Sequence, residues 1–162
     1  MLRTGFKLSL LFSLIATFSS AEVIFNEAYD DFAEVDNSSV LLLPVSDLEI
    51  TLGWKCFDDG LNVLLLHKYL GGDTDGDVVI RYKFDSEPAS DRNWYALSGN
   101  HEVTFFDMGD VAYFTNKALA SQQIMIRLTD PVDDEILQST FNPSDLEPAL
   151  QRLTSRNPGC DY

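Results

Sequence analysis

The sequence predicts a mainly β fold: an antiparallel β-sandwich or bent sheet, with one C-terminal helix packed on it and a disulfide that closes the chain. Three observations support this prediction. From Leu48 onward, short apolar segments recur, and several of them alternate apolar and polar residues as half-buried strands do. Residues typical of turns separate these segments. Helical spacing becomes clear only near the C-terminus, so βαβ units are not expected.

The chain begins with the three parts of a secretory signal peptide. Two basic residues precede an apolar run at residues 8–18, and small residues end the segment at Ala21. The run is shorter than the roughly 20 apolar residues that cross a bilayer, which disfavours a membrane anchor. We therefore predict a signal peptide, residues 1–21, followed by a single β-rich domain, residues 22–162, in a protein that is periplasmic or secreted.

The composition is strongly acidic, with 26 Asp and Glu against 11 Lys and Arg and a net charge of −15. Cleavage would remove two positive charges and take the net charge to −17. Such a surface repels nucleic acid and anionic lipid and attracts basic partners. We expect a protein partner, with no nucleic acid and no membrane span after cleavage. Acidity that only maintains solubility is an equal alternative.

The acidic segment 22–40 is expected to be irregular, although Tyr29, Phe32 and Val35 have a spacing that allows a short helix. The pattern that follows is much cleaner. Apolar and polar residues alternate from Leu48 to Cys56, which predicts a strand with Cys56 on its core face. Asp58-Asp59-Gly60 supplies turn chemistry, and the apolar residues after it predict the returning strand of a hairpin.

Five further strands are predicted by short apolar or alternating segments with turn residues between them. They lie at residues 78–84, 103–106, 111–114, 124–128 and 136–141.

One helix is predicted after the last strand. Its apolar residues, Leu146, Ala149, Leu150 and Leu153, follow the spacing of one helix face. Ser144 and Glu147 form the pattern of a capping box, although Pro148 would also suit the first helical position. Asn157-Pro158-Gly159 is expected to end the helix.

The chain has two cysteines, Cys56 and Cys160. In an oxidising compartment an even pair is typical of a disulfide, whereas a structural zinc site would need four close ligands. We predict a bond that fastens the chain end to the strand carrying Cys56. A free, catalytic Cys56 is the weaker alternative.

The sequence contains no motif for a cofactor, a metal or a catalytic triad. Residues 73–77 resemble the start of a calcium loop, but Val78 and Phe84 stand where an EF-hand needs Gly and Glu. The two histidines lack metal-ligand spacing, and no Gly-x-Ser-x-Gly occurs. We therefore expect no enzyme activity and no cofactor. A hydrolase that uses a carboxylate pair such as Asp58 and Asp59 is a distant alternative.

Aromatic residues provide the candidate binding surface. If the strands are regular, one residue of each adjacent aromatic pair faces solvent, which would give an aromatic contact surface with an acidic rim. Burial of these residues under a second layer is an equal alternative. The candidates are Trp94, Tyr95, Phe105, Phe106, Tyr113 and Phe114.

The order of these features resembles the periplasmic VasI/TagO-like accessory proteins of type VI secretion. The resemblance covers roughly residues 48–160. It rests on the cysteine-containing strand at 48–56, on Tyr82-Lys83-Phe84-Asp85, on Trp94, and on Phe141, Leu146, Leu150 and Cys160. It implies a periplasmic protein without enzyme chemistry, in which Cys56, Asp85, Trp94 and Cys160 are scaffold residues. This chain departs from the pattern in its long loop at 71–77 and its acidic segment 22–40.

The sequence thus favours an exported, non-enzymatic binding or accessory protein of the bacterial envelope, and the resemblance implies an association with type VI secretion. The alternative is an acidic inhibitor or immunity protein that blocks a basic enzyme such as a lysozyme or a secreted toxin. That alternative follows from the charge, because complementary charges raise the rate of association.

Overall fold

A computed structural model describes residues 22–46, 49–67, 78–96, 102–104, 108–129 and 134–162. The predicted signal peptide, the loop at 71–77, and Phe105 and Phe106 lie outside these residues. In the ranges described, the chain forms eleven strands and two helices. The strands are β1 Val23–Asn26, β2 Tyr29–Asp30, β3 Val35–Asp36, β4 Ser39–Leu42, β5 Ile50–Phe57, β6 Gly60–His67, β7 Val78–Phe84, β8 Ser90–Ala96, β9 Glu102–Thr104, β10 Ile124–Thr129 and β11 Ile136–Phe141; the helices are α1 Met108–Leu119 and α2 Leu146–Arg156.

Nine of these strands form one bent, antiparallel sheet in the order β1-β4-β5-β6-β9-β8-β7-β10-β11. The sheet folds back on itself, because β11 contacts β5 and the Val45 N–H donates to the Thr140 carbonyl at 2.8 Å. Strands β2 and β3 form a separate two-stranded sheet. The predicted mainly β fold with a bent antiparallel sheet is confirmed.

The β5–β6 hairpin has the predicted turn. Phe57 pairs with Gly60, and Gly60 has a φ of +119°, a value that favours glycine. On β5, Ile50, Leu52 and Trp54 are fully buried, as the alternation predicted. Cys56 is only partly buried at the end of the same face. This hairpin supplies much of the core.

The segment 22–40 is more regular than expected, because β1 pairs with β4 and β4 pairs with β5. The expectation of irregular structure or a short helix was wrong. The stabilising contacts come from residues far along the chain, so local spacing does not show them.

Residues 111–114, predicted as a strand, lie instead in α1. The buried residues Val111, Phe114, Thr115 and Ala118 have helical spacing. A short apolar run cannot by itself distinguish a strand from a helix. The indole N–H of Trp54 donates to the Thr115 hydroxyl at 3.0 Å, which joins α1 to β5 in the core.

Helix α2 packs on β1, β4 and β5 and buries Leu146, Leu150 and Leu153, which confirms the C-terminal helix. The predicted capping box does not form, because the helix begins at Leu146 after Asp145, which makes no side-chain cap. The helix ends at Arg156, before the Asn157-Pro158-Gly159 sequence that was expected to stop it.

The predicted disulfide is present and joins Cys56 in β5 to Cys160, with their Cα atoms 5.9 Å apart. It fastens the end of the chain, just beyond α2, to the sheet. Among the residues that the structure describes, no helix is both long enough and apolar enough to cross a membrane.

Candidate protein-binding site

A small hairpin stands apart from the main sheet. This acidic hairpin, residues 29–36, consists of β2, a four-residue turn and β3, with Tyr29 paired with Asp36 and Asp30 with Val35. The Asp30 carboxylate accepts hydrogen bonds from the backbone N–H groups of Phe32 at 2.9 Å and Ala33 at 3.0 Å. Such bonds are typical of Asp at the start of a turn. The turn conformation is therefore set by Asp30, within the hairpin itself.

The turn directs Phe32 into solvent, where its relative exposure is 102%. The described residues include six large hydrophobic side chains that are exposed, and three of them, Tyr29, Phe32 and Val35, belong to this hairpin. A fourth, Phe57, lines the same groove as Tyr29 and Val35. Single exposed apolar residues are common on protein surfaces, but a cluster of them marks an interaction site more often.

The hairpin tip carries unpaired negative charge. Asp30, Asp31 and Glu34 are exposed and make no ion pair with another described residue. Phe32 therefore projects from a turn that carries three exposed carboxylates, and this combination suits a partner with an apolar depression inside a basic rim.

The base of the hairpin is tied to α2 by ion pairs. The Arg156 guanidinium donates from Nε to Asp36 at 2.8 Å and from Nη1 to Glu27 at 2.5 Å. Arg152 also bonds Glu27, at 2.8 Å, and its guanidinium lies 4.0 Å from the ring centroid of Phe25. The network holds the hairpin base against α2, while the hairpin tip stays exposed.

These contacts perturb the titration of both carboxyls. The hydrogen bond from Arg156 is the main cause that holds the pKa of Glu27 below its ordinary value of 4.5. Burial by itself would raise the pKa of Asp36. Hydrogen bonds from Ser38 and Arg156 outweigh that effect, so this pKa also lies below its ordinary value, 3.8.

A groove of about 680 Å³ separates the hairpin from the β5–β6 turn and the chain end. Tyr29 and Phe57 line it, together with the Cys56–Cys160 disulfide and the carboxylates Asp58 and Asp59. These two carboxylates are exposed, and that of Asp59 accepts a hydrogen bond from the Asn62 amide at 3.1 Å. Two cations of the chain itself, Lys55 and Arg156, also line the groove, and Lys55 Nζ lies 5.2 Å from the ring centroid of Phe57. The groove is therefore a mixed surface of aromatic, acidic and basic groups beside the hairpin.

The predicted aromatic surface is not assembled as expected. Phe114 is fully buried against Trp54, Tyr82 and Phe84, so it cannot belong to a contact surface. Its neighbour Tyr113 is 49% exposed on the outside of α1. The strand prediction placed the two residues on opposite faces but could not say which faced the core.

Four other candidates remain untested. Trp94 and Tyr95 lie in β8, where the structure describes the backbone and not their side chains. Phe105 and Phe106 lie outside the described residues.

Sequence reasoning recognised the spacing of Tyr29, Phe32 and Val35 but interpreted it as helical. A better signal was present in Asp30, two residues before Phe32, because Asp at that position favours a turn over a helix.

Comparison with known proteins gives no relative: no family model, no curated protein and no solved structure matches this chain.

Proposed function

We propose that this chain is an exported, non-enzymatic binding protein of the bacterial envelope that docks on a basic protein through the acidic hairpin. The observation that carries the proposal is the fully exposed Phe32, held outward by a preformed turn that also carries three exposed carboxylates. A folded protein gains nothing by exposing Phe at the tip of an ordered hairpin. A partner that buried this side chain would gain about 1.5–3 kcal/mol from the hydrophobic effect.

The negative charge and the exposed Phe32 would act in sequence during association. The net charge and the unpaired carboxylates at the tip attract a basic surface over a distance of about one Debye length, roughly 10 Å at moderate salt. Phe32 then anchors the contact. Because the tip is already ordered, little conformational entropy is lost on binding.

Two biological roles fit this docking mode. One is an accessory protein of the envelope that acts in type VI secretion, and the sequence resemblance described above supports it. The other is an acidic inhibitor or immunity protein that blocks a basic enzyme such as a lysozyme or a secreted toxin. The second role is favoured by the hairpin, because a projecting aromatic residue with carboxylates around it is suited to enter a basic cleft.

The test compares three forms of the mature protein immobilised on a resin: wild type, Phe32→Ala and Tyr113→Ala. Tyr113 is a matched control, since it is also an exposed aromatic residue but lies on α1. Envelope extract is applied at low and high salt, captured proteins are identified by mass, and their binding is measured again with purified components. Circular dichroism checks that each variant is folded.

We expect a partner that is retained by wild type and Tyr113→Ala and weakened at least tenfold by Phe32→Ala. A single basic enzyme that is released as salt rises, and that the protein inhibits, would establish the inhibitor role. Secretion components that persist at high salt would establish the accessory role. Equal binding by wild type and Phe32→Ala would refute docking through the hairpin, and loss with Tyr113→Ala would move the contact to the α1 surface.

A further inference from the structure

The acidic hairpin continues the strand pair formed by β1 and β4. The two pairs share one register, because equal numbers of residues separate Val23 from Tyr29 on one side and Leu42 from Asp36 on the other. No residue is therefore inserted on either side between the two pairs. Residues 22–30 and 35–43 form one long β-ribbon, whose first half belongs to the main sheet and whose second half projects beyond it. We call the outer side of residues 22–30 the open edge.

Two hydrogen bonds determine which backbone groups point outward at the open edge. The Glu22 carbonyl accepts from the Leu43 N–H at 2.9 Å, and the Ala28 carbonyl accepts from the Asn37 N–H at 2.7 Å. In an antiparallel ladder, alternate residues of a strand bond the partner strand, and the residues between them direct their N–H and C=O groups the other way. The residues whose backbone groups point outward are Val23, Phe25, Glu27 and Tyr29.

The open edge is accessible to another strand. In the described part of the chain, β1 ends the sheet order and β2 pairs with β3 alone. No residue from 22 to 30 is buried, whereas Val40 and Leu42 on the other side of the ribbon are fully buried. Soluble proteins commonly protect a sheet edge with Lys, Pro or a β-bulge. Residues 22–30 contain no Lys and no Pro, and their constant register leaves no room for a bulge.

The side chains along the open edge indicate what kind of strand it accepts. Glu22 lies at one end and Asp30 and Asp31 at the other, and all three are exposed and make no ion pair with another described residue. Between them, residues 23–25 are apolar and half-buried. A second copy of the chain would bring the same carboxylates and the same negative charge, so it would be repelled. A strand that is apolar at its centre and basic at its ends would be complementary.

We propose that the open edge binds an extended segment of a protein partner by strand addition, and that this segment is apolar at its centre and basic at both ends. In strand addition, main-chain hydrogen bonds provide affinity and the flanking side chains provide specificity. Residues 22–30 are about 30 Å long when extended, so a partner segment of similar length can pair with all four outward-pointing residues. The occupant is thus recognised by its extended backbone and by the position of its charges.

This inference does not rest on the docking of Phe32, because strand addition uses the backbone of residues 22–30 and not the tip of the hairpin. The probe is a synthetic peptide with blocked ends, Lys-Lys-Val-Thr-Val-Thr-Val-Lys-Lys. A control peptide has Glu in place of every Lys. Binding to the mature, disulfide-bonded protein is measured by NMR titration at constant ionic strength, and amide hydrogen exchange is measured with and without peptide.

We expect saturable binding of the Lys peptide and binding about tenfold weaker for the Glu peptide. The amides of Phe25, Glu27 and Tyr29 should exchange about tenfold more slowly with the peptide bound, because they gain hydrogen bonds. The amides of Ile24 and Asn26 point into the ribbon and should change much less. This alternation along the strand distinguishes strand addition from contact with side chains alone.

Three variants, each checked for folding by circular dichroism, identify the groups responsible. Tyr29→Pro removes an N–H that points outward, a position at which an edge strand tolerates Pro, and should weaken binding of the Lys peptide about tenfold. Tyr29→Ala is the matched control, since it removes the ring and keeps the N–H, and it should bind more tightly than Tyr29→Pro. Phe32→Ala should bind the peptide as wild type does.

Several outcomes would overturn the inference. Absence of saturable binding, or amide exchange that does not slow at the open edge, would rule out strand addition. Equal binding of the Lys and Glu peptides would refute the selection by charge. Loss of binding in Phe32→Ala but not in Tyr29→Pro would move the peptide to the hairpin tip. Dimers in analytical ultracentrifugation that Tyr29→Pro dissociates would assign the open edge to a second copy of the chain.

Discussion

The Cys56–Cys160 disulfide links residues 104 positions apart, so its reduction should strongly destabilise the fold. The bond restricts the unfolded chain far more than the folded one, because β5 and the chain end are already adjacent in the native structure. Cys160 is buried, and its backbone N–H donates to the Asn157 carbonyl at 3.1 Å, contacts that breaking the S–S bond does not itself remove. The perturbation therefore removes a covalent link without removing atoms from the core.

The magnitude follows from the length of the closed loop. In the chain-entropy model, a loop of 104 residues restricts the unfolded state by about 4.7 kcal/mol at 25 °C. Domains are commonly stable by roughly 5–15 kcal/mol, so the loss is a third or more of the total. Because the reduced unfolded chain is also more expanded, the dependence of the unfolding free energy on urea should become steeper.

The assay is urea unfolding of the mature protein, oxidised and reduced, followed by tryptophan fluorescence. The control is Cys56→Ser/Cys160→Ser, whose stability should not respond to the reductant. We expect the reduced wild type to be less stable by about 4–5 kcal/mol. A difference below about 1 kcal/mol would refute the argument that the cross-link acts through the entropy of an open unfolded chain.

Two further predictions concern α1 and the hairpin base. Phe114→Ala should lower the free energy of unfolding by about 3–5 kcal/mol, because it removes a buried ring. Tyr113→Ala, at an exposed residue, should change it by no more than about 0.5 kcal/mol. Equal losses of stability in the two variants, measured by thermal or urea unfolding, would contradict the burial of Phe114. The pKa values of Glu27 and Asp36 lie below their ordinary values of 4.5 and 3.8. Their ion pairs therefore stabilise the fold fully when the pH is above the ordinary pKa values. This stabilisation is lost as the pH falls through the lowered pKa values. NMR titration of the carboxyl carbons should show both low pKa values, and Arg156→Gln should raise both; an unchanged titration in that variant would contradict the network.

The most regular elements could be predicted because local pattern and tertiary environment agree in them. The β5–β6 hairpin has apolar residues on its core face and turn residues between its strands, so the sequence defines both strands and their connection. In α2, the spacing of Leu146, Leu150 and Leu153 specifies a helix face that must be buried. Those elements were located within a few residues.

Elements whose stability depends on distant partners were missed. The strand β4 is short and follows an acidic segment, and it is stabilised by pairing with β1 and β5. The apolar residues from Val111 to Phe114 suit a strand until Thr115 and Ala118 are known to be buried on the same side. The deciding contacts, the pairing of β4 with β5 and the packing of Phe114 against Trp54, join residues that are separated in the sequence.

The sequence by itself determined the β-rich class, the acidic charge, the C-terminal helix and the pairing of Cys56 with Cys160, because composition, local periodicity and cysteine number carry that information. Only the tertiary structure decided that Phe32 is exposed while Phe114 is buried, and that Tyr29 lies opposite Asp36. Exposure and cross-strand neighbours depend on how distant segments pack and on the strand register. The candidate binding site consists of such relationships, so it became visible only in the folded chain.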